Sequence, residues 1–248
     1  MWKDFTMSES FENRFHRSEI LFGSAALSKL QQSHVLLAGA GGVGSYIAEA
    51  LVRGGIGKLT IYDPDLVHYT NLNRQLPALT STVNKEKTSA VAARLLDINP
   101  ELELHVFNIA LTPENIEPIL DQTSFDYLAD AIDSLNDKCF LLFAAHLRKL
   151  PTISAMGAGC RKDPSLVQYA DISKTFNCKL AKNVRAKLKK DYNIVKGIEC
   201  VFSPESNPDA VLPGENGQRP TIGSSSFMPG IFGLFMAAKI INKLTGKL

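Results

Sequence analysis

The stretch His34-Val-Leu-Leu-Ala-Gly-Ala-Gly-Gly-Val-Gly44 carries an apolar run straight into a turn where Gly39, Gly41 and Gly44 hold the G-x-G-x-x-G spacing. A short apolar run ended by glycine reads as a buried strand. Ser45 to Arg53 continues as a helix, which gives the motif the strand-turn-helix setting it needs. Glycines at such a turn let the backbone fold tightly and bring N–H groups and the helix N-terminus against phosphate oxygens. Nineteen residues beyond Gly44, Asp63 ends a second strand, Lys58-Leu-Thr-Ile-Tyr62, where a carboxylate accepts hydrogen bonds from ribose hydroxyls. These features specify a ribose with phosphates and leave open whether it belongs to a nicotinamide dinucleotide or to ATP.

Outward from the turn, strand and helix alternate. A helical lead-in over about residues 9–31 precedes the first strand. Lys85 to Asn99 reads as a helix stopped by Pro100, Glu103 to Phe107 as a strand, and Thr112-Pro113-Glu114 as an N-cap with proline in the first helical position. Tyr127 to Asp130, Leu135 to Arg148 and Thr152 to Ala155 continue as strand, helix and strand. Such alternation implies a Rossmann-like, doubly wound, mostly parallel α/β sheet, here with N-terminal helices and a small C-terminal α+β extension. We divide the chain into residues 1–160, the nucleotide-binding part, and 161–248, an extension packed on the same core. In the extension Leu166 to Asp171 alternates like a half-exposed strand, and Lys179 to Lys190 reads as a helix with Leu180, Val184 and Leu188 on one stripe. Residues 203–226 hold four prolines and three glycines and read as a long loop, and an apolar helix begins near Pro229.

Residues past the second strand separate the two nucleotide readings. Asp63-Pro-Asp65, Asn71-Leu-Asn-Arg74 and Lys87 set cations around the expected ribose site, as a triphosphate requires and a nicotinamide pocket does not. Asp133, in Asp130-Ala-Ile-Asp-Ser134 just past a strand's carboxyl end, stands where a carboxylate could hold Mg²⁺. Asp130 reads as structural. The set Arg14-Phe-His-Arg17, Gly39-Ala-Gly-Gly-Val-Gly44, Asp63-Pro-Asp65, Asn71 to Gln75, Lys87 and Ala131-Ile-Asp133-Ser resembles the adenylating domain of ubiquitin-activating-type enzymes over about residues 9–160. That resemblance implies a homodimeric, ATP-dependent carboxylate adenylase. Gly39, Gly41, Gly42 and Gly44 would cradle the nucleotide with Asp65 beside them, Asp63 would bind ribose, Asn71, Arg74 and Lys87 the phosphates, and Asp133 the Mg²⁺. Arg17 would reach the nucleotide of the neighbouring subunit; read alone, Arg14 and Arg17 are a solvated helix face. The catalytic set is then Arg17, Arg74, Lys87 and Asp133.

Relatives that activate ubiquitin-like sulfur carriers usually carry two C-x-x-C zinc pairs, and Cys139, Cys160, Cys178 and Cys200 form none. Asp171 to Thr175, Lys187 to Tyr192, Cys200 to Glu205 and Gly223 to Phe227 resemble instead the tRNA threonylcarbamoyladenosine dehydratases. The resemblance implies tRNA as a partner, allows a sulfur-transfer partner protein, and needs no catalytic cysteine. Three alternatives remain: adenylation of a sulfur carrier's terminal glycine, a nucleotide-binding scaffold without catalysis, and a plain dehydrogenase.

Composition bounds these readings. The chain has 248 residues, 45% of them hydrophobic, and a net charge of +2, which suits one folded core and by itself names no polyanionic partner. Distribution alters that conclusion, because residues 174–190 hold seven basic residues and no acidic one. Lys179, Lys182, Arg185, Lys189 and Lys190 are therefore candidate tRNA contacts on a helix whose other stripe is apolar, a pattern that also fits a merely solvated face. The mixed-charge start shows no leader, and the apolar run from Phe227 to Ala238 is too short to span a membrane, so a cytoplasmic chain without membrane association is expected.

Overall fold

The computed structural model describes residues 14–214 and 220–246. Two helices, α1 (His16–Phe22) and α2 (Ser24–Gln32), precede the sheet. The expected helical lead-in over about residues 9–31 forms these two helices, divided at Gly23, which sits at φ +89°, and its part before residue 14 lies outside the described residues. The nucleotide-binding half then runs β1 (His34–Ala38), α3 (Gly44–Gly54), β2 (Lys58–Tyr62), α4 (Lys87–Ile98), β3 (Glu103–Phe107), α5 (Pro113–Gln122), β4 (Tyr127–Asp130), α6 (Leu135–Leu147) and β5 (Thr152–Ala155). All five strands fall at the positions the sequence indicates. Thr112 caps α5 through a reciprocal box with Asn115, whose side chain accepts the Thr112 N–H at 2.9 Å.

Strand order across the seven-stranded sheet is β3-β2-β1-β4-β5-β7-β6, with β6 (Gln168–Asp171) and β7 (Glu199–Phe202) added by the second half. Every neighbouring pair is parallel except the edge pair of β6 and β7. The order reverses between β1 and β4, and ligands of open α/β sheets bind outside the carboxyl ends of strands at such a switch. Register brings Ala38 level with both Tyr62 and Asp130, so the glycine turn, Asp63 and the 131–134 loop leave the sheet side by side.

One face of the sheet is covered by α3, α4 and α8 (Met228–Thr245), with Leu37, Ile47, Leu51, Ile61, Phe232 and Met236 in its core. On the other face α6 lies between α5 and α7 (Lys179–Tyr192), and accordingly buries most of its circumference. Each fully buried large aliphatic contributes about 1.5–3 kcal/mol relative to exposure. Helix α8 crosses directly behind the glycine turn, where a Cβ on Gly233 would stand 2.5 Å from the Val43 carbonyl. The stretch 203–226, expected to be loop throughout, instead contains a small hairpin of β8 (Val211–Leu212) and β9 (Thr221–Ile222). Its two paired residues per strand are too short for periodicity to reveal. Among the described residues, no helix is long and apolar enough to cross a membrane.

Candidate functional site

A cleft of about 740 Å³ opens at the β1–β4 switch. Gly39, Gly41 and Gly42 form its floor, Asp63, Asp65 and Lys87 one wall, Asn71 and Arg74 another, and Asp133 stands on its rim. Eight candidates chosen from the sequence for nucleotide binding thus meet in one place, together with the proposed metal ligand. Gly44 does not line the cleft. Its Cβ would fall 1.8 Å from the Gly39 carbonyl oxygen, so glycine there serves the close packing of α3 on the turn. Gly39 sits at φ +92° with the Ala131 carbonyl 2.9 Å from where a Cβ would be, and both facts require glycine. Arg17 is exposed on α1 and is not brought to the cleft of its own chain.

Asp63 is held on two sides. Its Oδ2 accepts the Ala40 N–H at 2.7 Å and its Oδ1 accepts the Asp65 N–H at 2.9 Å, which aims the carboxylate across the glycine turn. Burial pushes the Asp63 carboxyl above the ordinary carboxylate range, against the opposing pull of Lys87 and the two N–H donors. Lys87 Nζ lies 3.8 Å from Asp63 and donates to Asp65 Oδ2 at 2.6 Å. A buried ammonium needs such partners, and nucleotide oxygens can replace the exposed Asp65 as one of them.

The 68–75 turn carries the next group. Asn71 accepts the His68 N–H through Oδ1 at 3.0 Å, and its carbonyl accepts the Arg74 and Gln75 N–H groups, so Asn71 builds the turn that carries Arg74. Arg74 Nη1 donates to the Thr70 carbonyl and to Asn73 Oδ1, both at 2.8 Å, with the guanidinium half-exposed along the cleft wall. Gln75, given no role by the motif, also lines the cleft, and its buried Oε1 has no partner among the described residues.

Asp130 is structural, as expected. It is completely buried, receives Lys138 Nζ at 2.7 Å, the Ser154 hydroxyl at 2.6 Å and the Ile132 N–H at 3.1 Å, and Lys138 also donates to the Ile132 carbonyl at 2.9 Å. This network clamps the loop that ends in Asp133. The Asp133 carboxylate itself makes no hydrogen bond or ion pair among the described residues, and Asp137 lines the same cleft one helical turn on. Single carboxylates with phosphates and waters suit Mg²⁺, so the residues present fit that ion.

The cleft continues past Gly157 and Gly159 to Leu180 in the first turn of α7, and Pro220, Ile222 and Ser224 of the hairpin segment close it from above. Asn73 Nδ2 donates to the Ser224 carbonyl at 3.0 Å, tying that segment to the 68–75 turn. Lys179, Lys182, Lys189 and Lys190 are exposed on α7. Arg185 is partly engaged within the chain: its Nη1 donates to the Thr175 hydroxyl and, at 2.9 Å, to the Thr175 carbonyl, bracing the segment that leads into α7. Lys187 pairs with Asp191 at 2.7 Å. The expected uniform basic face is therefore narrower, because charge counting cannot see which cations fold back on their own chain. Cys139, Cys178 and Cys200 are buried and Cys160 is half-buried, its thiol directed to the Ala210 carbonyl at 3.4 Å.

The ThiF family model matches residues 15–248. The chain belongs to the ThiF family. It is 35% identical to the tRNA threonylcarbamoyladenosine dehydratase of Haemophilus influenzae, with 96% of each chain covered, and 39% identical to that of Bacillus subtilis, with 94% of each covered. Among solved structures, E. coli tRNA N6-threonylcarbamoyladenosine dehydratase in complex with ATP superposes with a TM-score of 0.88 at 33% identity, covering 98% of both chains. The similarity of this ThiF-family chain to these relatives thus extends over 94% to 98% of its length, the second half included.

Proposed function

We propose that this ThiF-family chain uses ATP to dehydrate threonylcarbamoyladenosine in tRNA to its cyclic hydantoin form. The observation that carries the reading is the cleft itself, which joins the Gly39–Asp63–Lys87 nucleotide cradle to the start of the basic helix in one continuous wall. Family membership and full-length similarity to tRNA threonylcarbamoyladenosine dehydratases support it.

A carboxylate is a poor acyl donor because its leaving group would be oxide. Attack of the threonine carboxylate oxygen on the α-phosphorus of ATP breaks the bond to pyrophosphate and leaves an acyl-adenylate. Asp63 holds the ribose, the N–H groups of the glycine turn hold phosphate, and Arg74 and Lys87 offset charge as pyrophosphate departs. Mg²⁺ on Asp133, when bound, adds charge neutralisation at the phosphates. The ureido nitrogen of the same substituent then attacks the activated carbonyl, loses its proton and expels AMP, closing a five-membered ring. Because both reacting groups belong to one side chain, the closure has a high effective molarity and needs no enzyme nucleophile.

Exposure of Arg17 on α1 suits a role across a homodimer, where it reaches the partner's nucleotide. Lys179, Lys182, Lys189 and Lys190 contact tRNA phosphates. A cytoplasmic setting, and a sulfur-transfer protein as an additional partner, belong to the same reading.

The test is incubation of the purified protein with ATP, Mg²⁺ and tRNA bearing threonylcarbamoyladenosine, followed by nucleoside mass analysis. The expected product is lighter by one water and appears with AMP and pyrophosphate. Formation of AMP only when a sulfur-carrier protein is added would refute the reading.

A further inference from the structure

Phe176 stands three residues before α7 and is 53% exposed. Single exposed apolar residues are common, but this one combines an aromatic face with the start of a basic helix. Among the other exposed aromatics, Tyr169 on the neighbouring edge strand donates its hydroxyl to the Phe235 carbonyl at 2.7 Å and lies under Lys239, Phe107 at the opposite edge of the sheet stacks on Tyr62 at 4.7 Å, and Tyr69 and Phe227 lie on other segments, away from the basic helix. Among the described residues Phe176 has a single aromatic contact, an edge-to-face one with Phe202 at 5.7 Å and 73°. Phe202 is fully buried in the core under α7, so it fixes the Phe176 ring from one side and leaves the rest of it to solvent.

The surroundings specify what chemistry fits. Asn177, at φ +52°, turns the chain into α7, whose first turn presents Leu180 to the nucleotide cleft and Lys179 to solvent. Lys179, Lys182 and Lys189 follow one stripe of the helix over about 15 Å, and none forms an ion pair among the described residues. A rigid, half-bare aromatic at the head of unpaired lysines matches a single-stranded nucleic acid, whose base stacks on the ring while its phosphates track the cations. A protein partner would require acidic side chains to satisfy those lysines and would find only one apolar ring to cover.

We propose that Phe176 is a base-stacking platform that, with Lys179 and Lys182, seats an unpaired nucleotide of the substrate RNA at the mouth of the ATP cleft. The proposal rests on tRNA being the substrate. Stacking would hold the RNA loop within one helical turn of Leu180, which directs the neighbouring modified nucleotide into the cleft.

The test uses full-length protein. Phe176→Ala should weaken tRNA binding roughly tenfold to hundredfold with ATP affinity unchanged, and should leave the salt dependence of tRNA binding as steep as before, since no phosphate contact is lost. Phe176→Tyr should retain tight binding. Lys179→Gln with Lys182→Gln should instead flatten the log–log salt slope by about 1.4–1.8. The natural chain has one tryptophan, Trp2, so Trp2→Phe with Phe176→Trp places the only indole at the platform. Its fluorescence should be quenched by tRNA and by single-stranded RNA but not by duplex RNA. Undiminished tRNA affinity of Phe176→Ala, in a wild-type background that forms the cyclic product, would overturn the stacking proposal alone. A lowered sedimentation mass with unchanged RNA affinity would assign the ring to contact with a second copy and also overturn it. Failure of the wild-type protein to bind tRNA or form the product would instead remove the parent reading.

Discussion

Replacing Lys138 with methionine tests whether the buried clamp beneath Asp133 is electrostatic. Methionine keeps most of the lysine volume, so the change removes the ammonium while leaving the packing of α6 nearly intact. Lys138 and Asp130 are both completely buried and 2.7 Å apart, and orphaning one charge of such a pair costs about 3–5 kcal/mol. Two donors soften the loss, because the Ser154 hydroxyl and the Ile132 N–H still reach the Asp130 carboxylate. Lys138→Met should therefore lower unfolding stability by about 3 kcal/mol, the lower end of that range, at pH 7 in urea titrations followed by circular dichroism. Lys138→Met combined with Asp130→Asn removes both charges while preserving an acceptor for the two remaining donors, and should be less costly than the sum of the single changes by about 2 kcal/mol. A deficit below about 1 kcal/mol would refute the reasoning, since it would mean the pair is hydrated or redundant.

Asp133→Ala should abolish AMP release in the tRNA assay while tRNA affinity stays within about twofold, and retained AMP release would remove Asp133 from the metal role. Gly44→Ala cannot keep the native turn, because its methyl would lie 1.8 Å from the Gly39 carbonyl; loss of ATP binding together with a drop in melting temperature is expected, and normal ATP binding would contradict the packing role. If Arg17 acts across a dimer, mixing inactive Arg17→Ala and Asp133→Ala chains should restore part of the activity as hybrid dimers form, and no recovery after confirmed subunit exchange would assign Arg17 elsewhere. Burial pushes the Cys139 thiol up to about 11 and the Cys200 thiol up to about 12, so at pH 8 both are protonated and poor nucleophiles, and a rise to pH 9 should not activate them. Native iodoacetamide labelling read by mass spectrometry should then fall on the half-buried Cys160, and labelling of Cys200 before unfolding would be incompatible with that burial.

Strands were the most legible elements. His34–Ala38 and Tyr127–Asp130 are short apolar runs bounded by turns, and a buried parallel strand leaves no other reading for them. The glycine turn, Asp63, Arg74, Lys87 and Asp133 were legible as a group because their residue types follow the carboxyl ends of successive strands in the chain, and the structure brings them to one cleft. The hairpin of β8 and β9 was not, since four paired residues have no period. Gly44 and Arg185 were assigned to ligands, yet each is occupied within its own chain, one by a backbone 1.8 Å from its Cβ position and the other by Thr175.

By itself, then, the sequence determined the strand-helix alternation and the glycine turn, and favoured a triphosphate over a dinucleotide, because these depend on local period and residue type. Tertiary structure alone decided which cations remain free, that the Asp130 carboxylate is consumed by Lys138 and Ser154, that the hairpin segment roofs the cleft, and that α7 begins at the cleft wall with Phe176 bare beside it. Those outcomes depend on contacts between residues far apart along the chain, where burial and competition for hydrogen-bond partners select among roles that residue type leaves open.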